Sequence, residues 1–265
     1  MRISYFLTAM VALFAVGILI DPIHAKIDPE TIVGIWLFEE DSKDEVAVDS
    51  SGNGHDGAIF GPSEWDDGKF GSSLKVSSGN YVRVLHSDEL ALKTYTVAAW
   101  ISTEDSGRWI SVISKAHDNQ TRNYMIYIHI DTGKPAMSIG DKAGNTWRDL
   151  GATTVVNDGN WHHVAISFDD DENVGRIFVD GMQEAQYNVT SDIPLSDADL
   201  VFASYTHSGG NGYIGLLDEI AIFSVALEEA DIKAVMDRGL EAVAKLLAVS
   251  SIGKLTTTWA NLRVH

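Results

Sequence analysis

The segment at residues 49–57, DSSGNGHDG, combines carboxylates, an amide and backbone carbonyls in a run of turn-forming residues. Its glycines permit positive φ, so we expect a tight loop. Carboxylate and carbonyl oxygens are the ligands that Ca²⁺ prefers, and the ion takes six to eight of them. The alternative is a solvated turn in which a structural aspartate accepts hydrogen bonds from backbone amides.

A second set of residues is suited to binding sugars, because exposed aromatic rings and sugar rings both present flat apolar faces. Four aromatic side chains lie at or near predicted loops, which are where sandwich folds carry their binding sites: Trp109, Trp147, Tyr205 and Tyr213. We take these four as candidate ligand-binding residues. The alternative is that they pack at the rim of the fold.

Two further patterns resemble metal sites but fail on spacing. Residues 169–173, DDDEN, imitate the start of a calcium-binding loop, but Val174 stands where that loop needs glycine and both flanks read as strands. We therefore expect a charged hairpin turn. His162 and His163 are neighbours on a predicted strand, so they point to opposite faces and cannot easily share one metal.

The sequence lacks the patterns of several catalytic sites. Retaining glycosidases need two carboxylates about 5–5.5 Å apart, and the chain has no Glu-x-Asp-x-Glu pattern that would place them on one strand face. Asp218 and Glu219 are adjacent and so face opposite ways. Neither a G-x-S-x-G nucleophile motif nor a phosphate-binding G-x-x-x-x-G-K-[ST] loop is present. We expect a protein that is not an enzyme.

Composition excludes other classes. The 265 residues contain no cysteine, which rules out disulfides and thiol catalysis. The formal net charge of -19 argues against nucleic acid, because phosphate binding needs clustered Lys and Arg. Nearly half of the residues are apolar, so a large core is expected without covalent cross-links.

The N-terminus has the features of a secretory signal. Arg2 precedes an uncharged apolar run over residues 3–20, and Pro22 and Ala25 follow it. We expect a signal peptide over residues 1–25 and a secreted or cell-surface protein, with no integral membrane span after cleavage. A retained membrane anchor is the alternative, since about 18 apolar residues are at the lower limit for spanning a bilayer.

The rest of the chain reads as short strands separated by turns. About a dozen segments rich in β-branched and aromatic residues lie between residues 31 and 223. No helix-length segment separates them, which favours an antiparallel sandwich or barrel over a parallel sheet. Helical spacing begins only near Ala226 and stops at Gly239.

The central element is a hairpin over residues 158–181, two strands joined by the acidic turn. Alternation puts one apolar set of this hairpin on a single face, and we expect that set to build the core: Val164, Ile166, Phe168, Ile177 and Val179.

Four motifs in order give the chain a family resemblance. They are residues 34–39 (GIWLFE), the loop at 49–57, the hairpin segments WHHVA and FVDG, and residues 215–223 (GLLDEIAIF) before a helix. With these motifs the chain resembles the concanavalin A-like lectin/glucanase superfamily in its bacterial laminin-G-like form. The resemblance implies an all-β antiparallel jelly-roll sandwich over residues 26–238, with a short C-terminal helix and a tail over residues 239–265.

The resemblance also implies a site and a role. Such domains often hold one calcium ion between the early loop and the late Asp-Glu pair. The implied ligands are the side chains of Asp49 and Asp218, with Asn53 and His55 contributing mainly backbone oxygens. The implied role is a secreted, non-catalytic module that binds a glycan or an extracellular protein through its loops. A structural or adhesive surface protein is the alternative, and a glycoside hydrolase is a third.

Overall fold

The chain folds into a sandwich of two antiparallel sheets. The structure is a computed structural model that describes residues 27–40, 45–62, 64–117, 121–141, 148–189, 193–206 and 210–244. The predicted signal peptide lies outside these residues. Within the described part, no helix has both the length and the apolar character that crossing a membrane requires.

Within the described residues each sheet contains eight strands. In sheet A the order is β14 (Met182–Asn188), β13 (Val174–Val179), β12 (Trp161–Asp169), β7 (Tyr95–Ser102), β16 (Gly215–Phe223), β5 (Ser72–Val76) and β4 (Glu64–Asp67), and β1 (Ile32–Trp36) also pairs with β16. In sheet B the order is β11 (Arg148–Gly151), β10 (Pro135–Asp141), β9 (Thr121–Ile128), β8 (Ile110–Ala116), β15 (Leu200–Phe202), β6 (Tyr81–Val84), β3 (Gly57–Phe60) and β2 (Val46–Ala47). The pattern of short strands at turn spacing therefore predicted the fold class correctly, and the jelly-roll sandwich is confirmed.

The main core lies between the inner faces of the two sheets. The central hairpin forms β12 and β13, and the five hairpin residues expected in the core all belong to this cluster. Trp36 of β1 is fully buried there and packs edge-on against Phe202 at 4.9 Å between ring centroids. An aromatic pair of this geometry adds about 0.5–1.5 kcal/mol beyond the area it buries.

A second apolar cluster closes the outer face of sheet A. Helix α1 (Glu229–Arg238) buries Ile232 and Val235 against Ala165 and Phe178 of the hairpin. The helix ends at Gly239, whose φ of 72° suits the predicted glycine stop. The central hairpin is thus buried on both faces.

Two strands had no sequence signal. Glu64–Asp67, with the sequence EWDD, is polar and forms β4 only because it pairs with β5 at the edge of sheet A. Val46–Ala47 is too short for a sequence pattern and forms β2 at the edge of sheet B by pairing with β3. Edge strands such as these depend on their partners more than on intrinsic propensity.

Strand β16 changes partner along one edge, and two carboxylates occupy the change. Its residues 215–217 pair with β5 and residues 220–223 pair with β1. Between them, Asp218 accepts a hydrogen bond from the backbone N–H of Phe70 at 3.0 Å, and Glu219 accepts one from the N–H of Leu240. Both acids are almost fully buried.

Burial raises the pKa values of Asp218 and Glu219 to about 7, and the charge of nearby Glu39 adds to both shifts. The two carboxyls therefore keep a proton in the folded protein at pH values where the unfolded chain would have lost it. Their contribution to stability is full below the unfolded pKa of about 4 and is lost as pH rises through about 7.

We expect Asp218→Asn to weaken the loss of stability at higher pH. Asparagine keeps a carbonyl oxygen for the Phe70 N–H but cannot ionise. Between about pH 5 and about pH 8 the wild type should lose a few kcal/mol of unfolding free energy more than the variant, since one pKa unit is about 1.4 kcal/mol. Urea unfolding in chelator at both pH values measures this difference. Asp67→Asn, an exposed change on β4, is the control, and an equal decline in wild type and Asp218→Asn contradicts the assignment.

Candidate functional site

The outer face of sheet B carries the site. On β9, Ile126 and Ile128 point into the core, so Met125 and Tyr127 point outward. Small residues of the neighbouring strands lie beside them: Ser111, Ser114, Ala136 and Ser138. Small side chains in the middle of a sheet and larger ones around them leave a depression.

That depression is a cleft of about 270 Å³. Its described lining residues come from the sheet, from the position just before β8 and from two positions after β15: Trp109, Ile110, Ser111, Arg122, Met125, Tyr127, Asp149, Tyr205 and Asn211. The cleft joins a strong aromatic wall to a few polar groups, as small-molecule sites commonly do.

The aromatic wall is held in place by its own ring contacts. The Trp109 ring lies 5.3 Å from Tyr127 and 4.6 Å from His129 between centroids, and 43% of the Trp109 residue is still exposed. Tyr205 is nearly buried and donates its hydroxyl to the carbonyl of His117 at 3.4 Å. Trp109 therefore offers a fixed ring surface to a ligand.

The charged and polar side chains of the cleft pair with one another. Arg122 donates from Nη1 to Ser138 Oγ and lies 3.7 Å from Asp149 Oδ1. Burial raises the pKa of Tyr127 well above its ordinary value, and the charge of Asp149 raises it further, so the phenol stays protonated and donates to Asp149. Among the described lining residues the single positive and single negative side chain are thus neighbours.

Of the four aromatic candidates, Trp109 and Tyr205 lie together in the cleft. Tyr213 does not, and its assignment as a ligand-binding residue is corrected. It is fully buried, and its hydroxyl donates to the carbonyls of Ser102 at 2.8 Å and Leu216 at 2.9 Å. These bonds fix the start of β16 against the end of β7. Trp147 lies outside the described residues.

Among the lining residues that the sequence did not indicate, three carry the polar chemistry of the cleft: Arg122, Tyr127 and Asp149. Alternation along β9 gives the outward direction of Tyr127. The pairing of β9, β10 and β11, which brings Arg122 and Asp149 together, depends on register and has no local signal.

The loop at residues 49–57 uses its acid to hold backbone. Asp49 Oδ1 accepts from the N–H groups of Ile35 at 3.0 Å and Ser51 at 2.9 Å, and Oδ2 accepts from that of His55 at 3.0 Å. Both oxygens of this buried carboxylate therefore have backbone donors. This arrangement matches the alternative of a structural aspartate.

The other two candidate ligands of the loop also hold β1. Asn53 donates from Nδ2 to the carbonyls of Ile32 at 3.0 Å and Val33 at 2.9 Å. The carbonyl of His55 accepts from Trp36 Nε1 at 3.0 Å. The loop thus supplies side-chain and backbone partners along the β1 edge that β16 leaves unpaired.

Asp49 and Asp218 do not form one ligand set. Trp36 of β1 faces Asp49 on one side and Ile220 of β16 on the other, so β1 lies between the two carboxylates. No group of three His, Asp or Glu side chains in the described ranges is arranged to hold a metal. Asp218 alone keeps a feature that suits a cation, because its buried Oδ1 accepts no hydrogen bond from the described residues.

The histidine pair and the acidic turn have structural environments. His162 lies between Asp180 at 2.8 Å and Asp158 at 3.2 Å, whereas His163 is buried against Trp100. Burial lowers the pKa of His163 to about 4, so it is neutral at ordinary pH. In the turn, Asp169 Oδ1 accepts hydrogen bonds from the backbone N–H groups of Asp171 and Glu172, as acidic residues commonly do in turns.

Comparison with solved structures gives jelly-roll relatives at low identity. The binding domain of Paraclostridial Mosquitocidal Protein 1 matches with a TM-score of 0.64 and 16% identity, over 78% of this chain and 52% of that chain. Domain 4 of AbnA, an extracellular arabinanase from Geobacillus stearothermophilus in complex with arabinotriose, matches with a TM-score of 0.63 and 19% identity, over 78% of this chain and 98% of that chain. The binding domain of botulinum neurotoxin DC in complex with rat synaptotagmin II matches with a TM-score of 0.60 and 14% identity, over 79% of this chain and 52% of that chain.

The chain spans about half the length of the two toxin domains and nearly all of the arabinanase domain. At these identities the likeness concerns the fold. A search of curated protein sequences finds no match. A family model described as the concanavalin A-like lectin/glucanases superfamily matches residues 76–233, which is more than half of the chain. With the sandwich and its motifs in place, this match means that the chain belongs to the laminin-G-like branch of the concanavalin A-like lectin/glucanase superfamily.

Proposed function

We propose that this protein is a non-catalytic carbohydrate-binding module whose ligand occupies the cleft on the outer face of sheet B. The observation that carries the proposal is the exposed Trp109 ring beside the paired Arg122 and Asp149 side chains. A sugar ring can stack on the indole while its hydroxyls reach both charged groups.

The fold comparison supports a carbohydrate ligand over a protein one. The arabinanase domain, of which this chain covers 98%, is described in complex with arabinotriose. The botulinum neurotoxin domain, in complex with synaptotagmin II, is about twice as long as the part it shares with this chain. A small concave cleft also suits a sugar better than a protein surface, which is commonly broad.

The cleft gives little support for catalysis. Asp149 is the one carboxylate among its described lining residues, and it is bonded to Tyr127 and close to Arg122. Retaining and inverting glycosidases both use two carboxylates. We therefore propose binding alone, outside the cytoplasm as the N-terminal sequence predicts.

We expect Trp109→Ala to lose glycan binding without loss of fold. The ring is exposed, and its removal should weaken binding by about tenfold or more, which corresponds to about 1.4 kcal/mol. An array of arabinan, xylan, mannan and β-glucan, followed by calorimetry on the polysaccharide that binds, measures the effect.

Tyr187→Ala is the matched control, since Tyr187 is equally exposed on β14 of the other sheet. No binding to any glycan, together with self-association in solution, would favour the structural or adhesive alternative. Release of reducing sugar from these polysaccharides would revive the glycosidase alternative.

We also propose that calcium binds at the β16 seam through Asp218 rather than between Asp218 and Asp49. The buried Oδ1 of Asp218 and the nearby charges of Glu39 and Glu219 support this position. Bound calcium would stabilise those charges, whereas the three N–H bonds of Asp49 would have to break to free its oxygens.

We expect Ca²⁺ to raise the melting temperature of the wild type and of Asp49→Asn, but not of Asp218→Asn. A ligand at 100 times its dissociation constant adds about 2.7 kcal/mol to unfolding. Asp49→Asn should be less stable with or without the ion, because it disturbs three backbone bonds. Thermal melts in calcium and in chelator decide between the sites, and identical melts for the wild type would sink the calcium proposal.

A further inference from the structure

A second cleft of about 190 Å³ lies beside the first. It is lined by polar loop residues and one aromatic ring, including Ser78, Asn80, Tyr81, Arg108 and Asn211. Asn211 also lines the first cleft, so the two depressions meet at this exposed side chain.

The two clefts lie at the same end of sheet B. Trp109 directly precedes β8, Tyr127 ends the outer row of β9, and Tyr81 begins β6 opposite Phe60 at the end of β3. From β9 to β6, the strands that carry Tyr127 and Tyr81, the sheet order crosses three inter-strand spacings, about 14 Å, roughly the length of three sugar rings. The line that joins the clefts runs across the strands.

Tyr81 provides a firm ring in the second cleft. Its neighbour Val82 is buried in the core, so Tyr81 points to the outer face. The ring stacks on Phe60 with centroids 4.8 Å apart and planes 4° from parallel, and Arg83 lies over the Phe60 ring at 4.8 Å. A ring braced in this way loses little freedom when a ligand stacks on it.

The second cleft is also balanced in charge. Arg108 donates to Asp105, so its guanidinium is already paired. The groups left to a ligand at this end are amides, hydroxyls and backbone, which suit sugar hydroxyls better than carboxylates or sulfates.

We propose that the two clefts form one continuous groove that takes an internal stretch of a linear, uncharged polysaccharide, with Tyr81 as a second stacking platform beside Trp109. This inference rests on the proposed carbohydrate-binding function and deepens it. Because the groove has a ring at each part and Asn211 between them, affinity depends on a chain long enough to reach both rings.

The test measures affinity against chain length. Calorimetry uses oligosaccharide ladders, from dimers to octamers, prepared from arabinan, xylan, mannan and β-glucan. For the wild type we expect affinity to rise until about three units and then to level off, as the length of the groove implies. Tyr81→Ala should lower hexamer affinity by about tenfold and leave dimer affinity unchanged.

Two variants keep the outcome interpretable. Tyr81→Phe retains the ring and its stack on Phe60, so it should bind hexamers like the wild type even if Tyr81→Ala disturbs the fold. Trp109→Ala should weaken dimers and hexamers alike. Full hexamer affinity in a folded Tyr81→Ala, or wild-type affinity that levels off at the dimer, overturns the groove while leaving the first cleft intact. Absence of binding by every ladder overturns the proposed function and the groove together.

Discussion

Burial of both faces of sheet A is the constraint on which the arrangement of this protein depends. Its inner face packs on sheet B, and its outer face is closed by Leu227, Ile232 and Val235. Each such aliphatic side chain contributes about 1.5–3 kcal/mol to folding when it is buried, so exposing a face of sheet A to a ligand would cost several kcal/mol of stability. The outer face of sheet B is where small residues leave room, and the aromatic cleft lies there. Helix α1 therefore determines where binding can occur, although it lies on the other side of the sandwich.

The need to pair every strand edge explains why Asp49 and Asp218 resemble parts of a metal site without sharing one. Strand β1 pairs with β16 on one side only, and its other edge would present unpaired N–H and C=O groups. Asp49 and Asn53 supply partners to that edge from a short loop. Asp218 likewise accepts a backbone hydrogen bond, from Phe70, at the point where β16 changes its partner from β5 to β1. Burial raises the pKa of this carboxyl group. One acid is satisfied by the backbone, and the other keeps capacity for a proton or a cation.

The sequence predicted the sandwich because alternation along β12 and β13 and the glycine after α1 are local signals. It missed β4, since EWDD becomes a strand only through its neighbour. In the site, Trp109 and Tyr205 line the cleft as their positions beside loops predicted, whereas Tyr213 looked equivalent in sequence and is buried away from it. Arg122 and Asp149 meet through strand register, and register is a property of the folded sheet. Residue type thus indicates Trp109 and Tyr205, whereas Tyr127 and the paired charges of the cleft follow only from the folded sheet.

Charge finally limits the ligand. The chain carries a formal net charge of -19, and such a field repels anions, although salt screens it beyond about 8 Å. An anionic polymer would therefore need a local surplus of positive charge, yet Arg122 already faces Asp149 and Arg108 already faces Asp105. Taking Arg122 for an anion would leave Asp149 without its cationic partner, at a cost that grows with burial. A sugar hydroxyl avoids this conflict, because one O–H can donate to Asp149 while its oxygen accepts from Arg122. The paired charges thus favour neutral, hydroxyl-rich ligands by geometry as well as by the overall field.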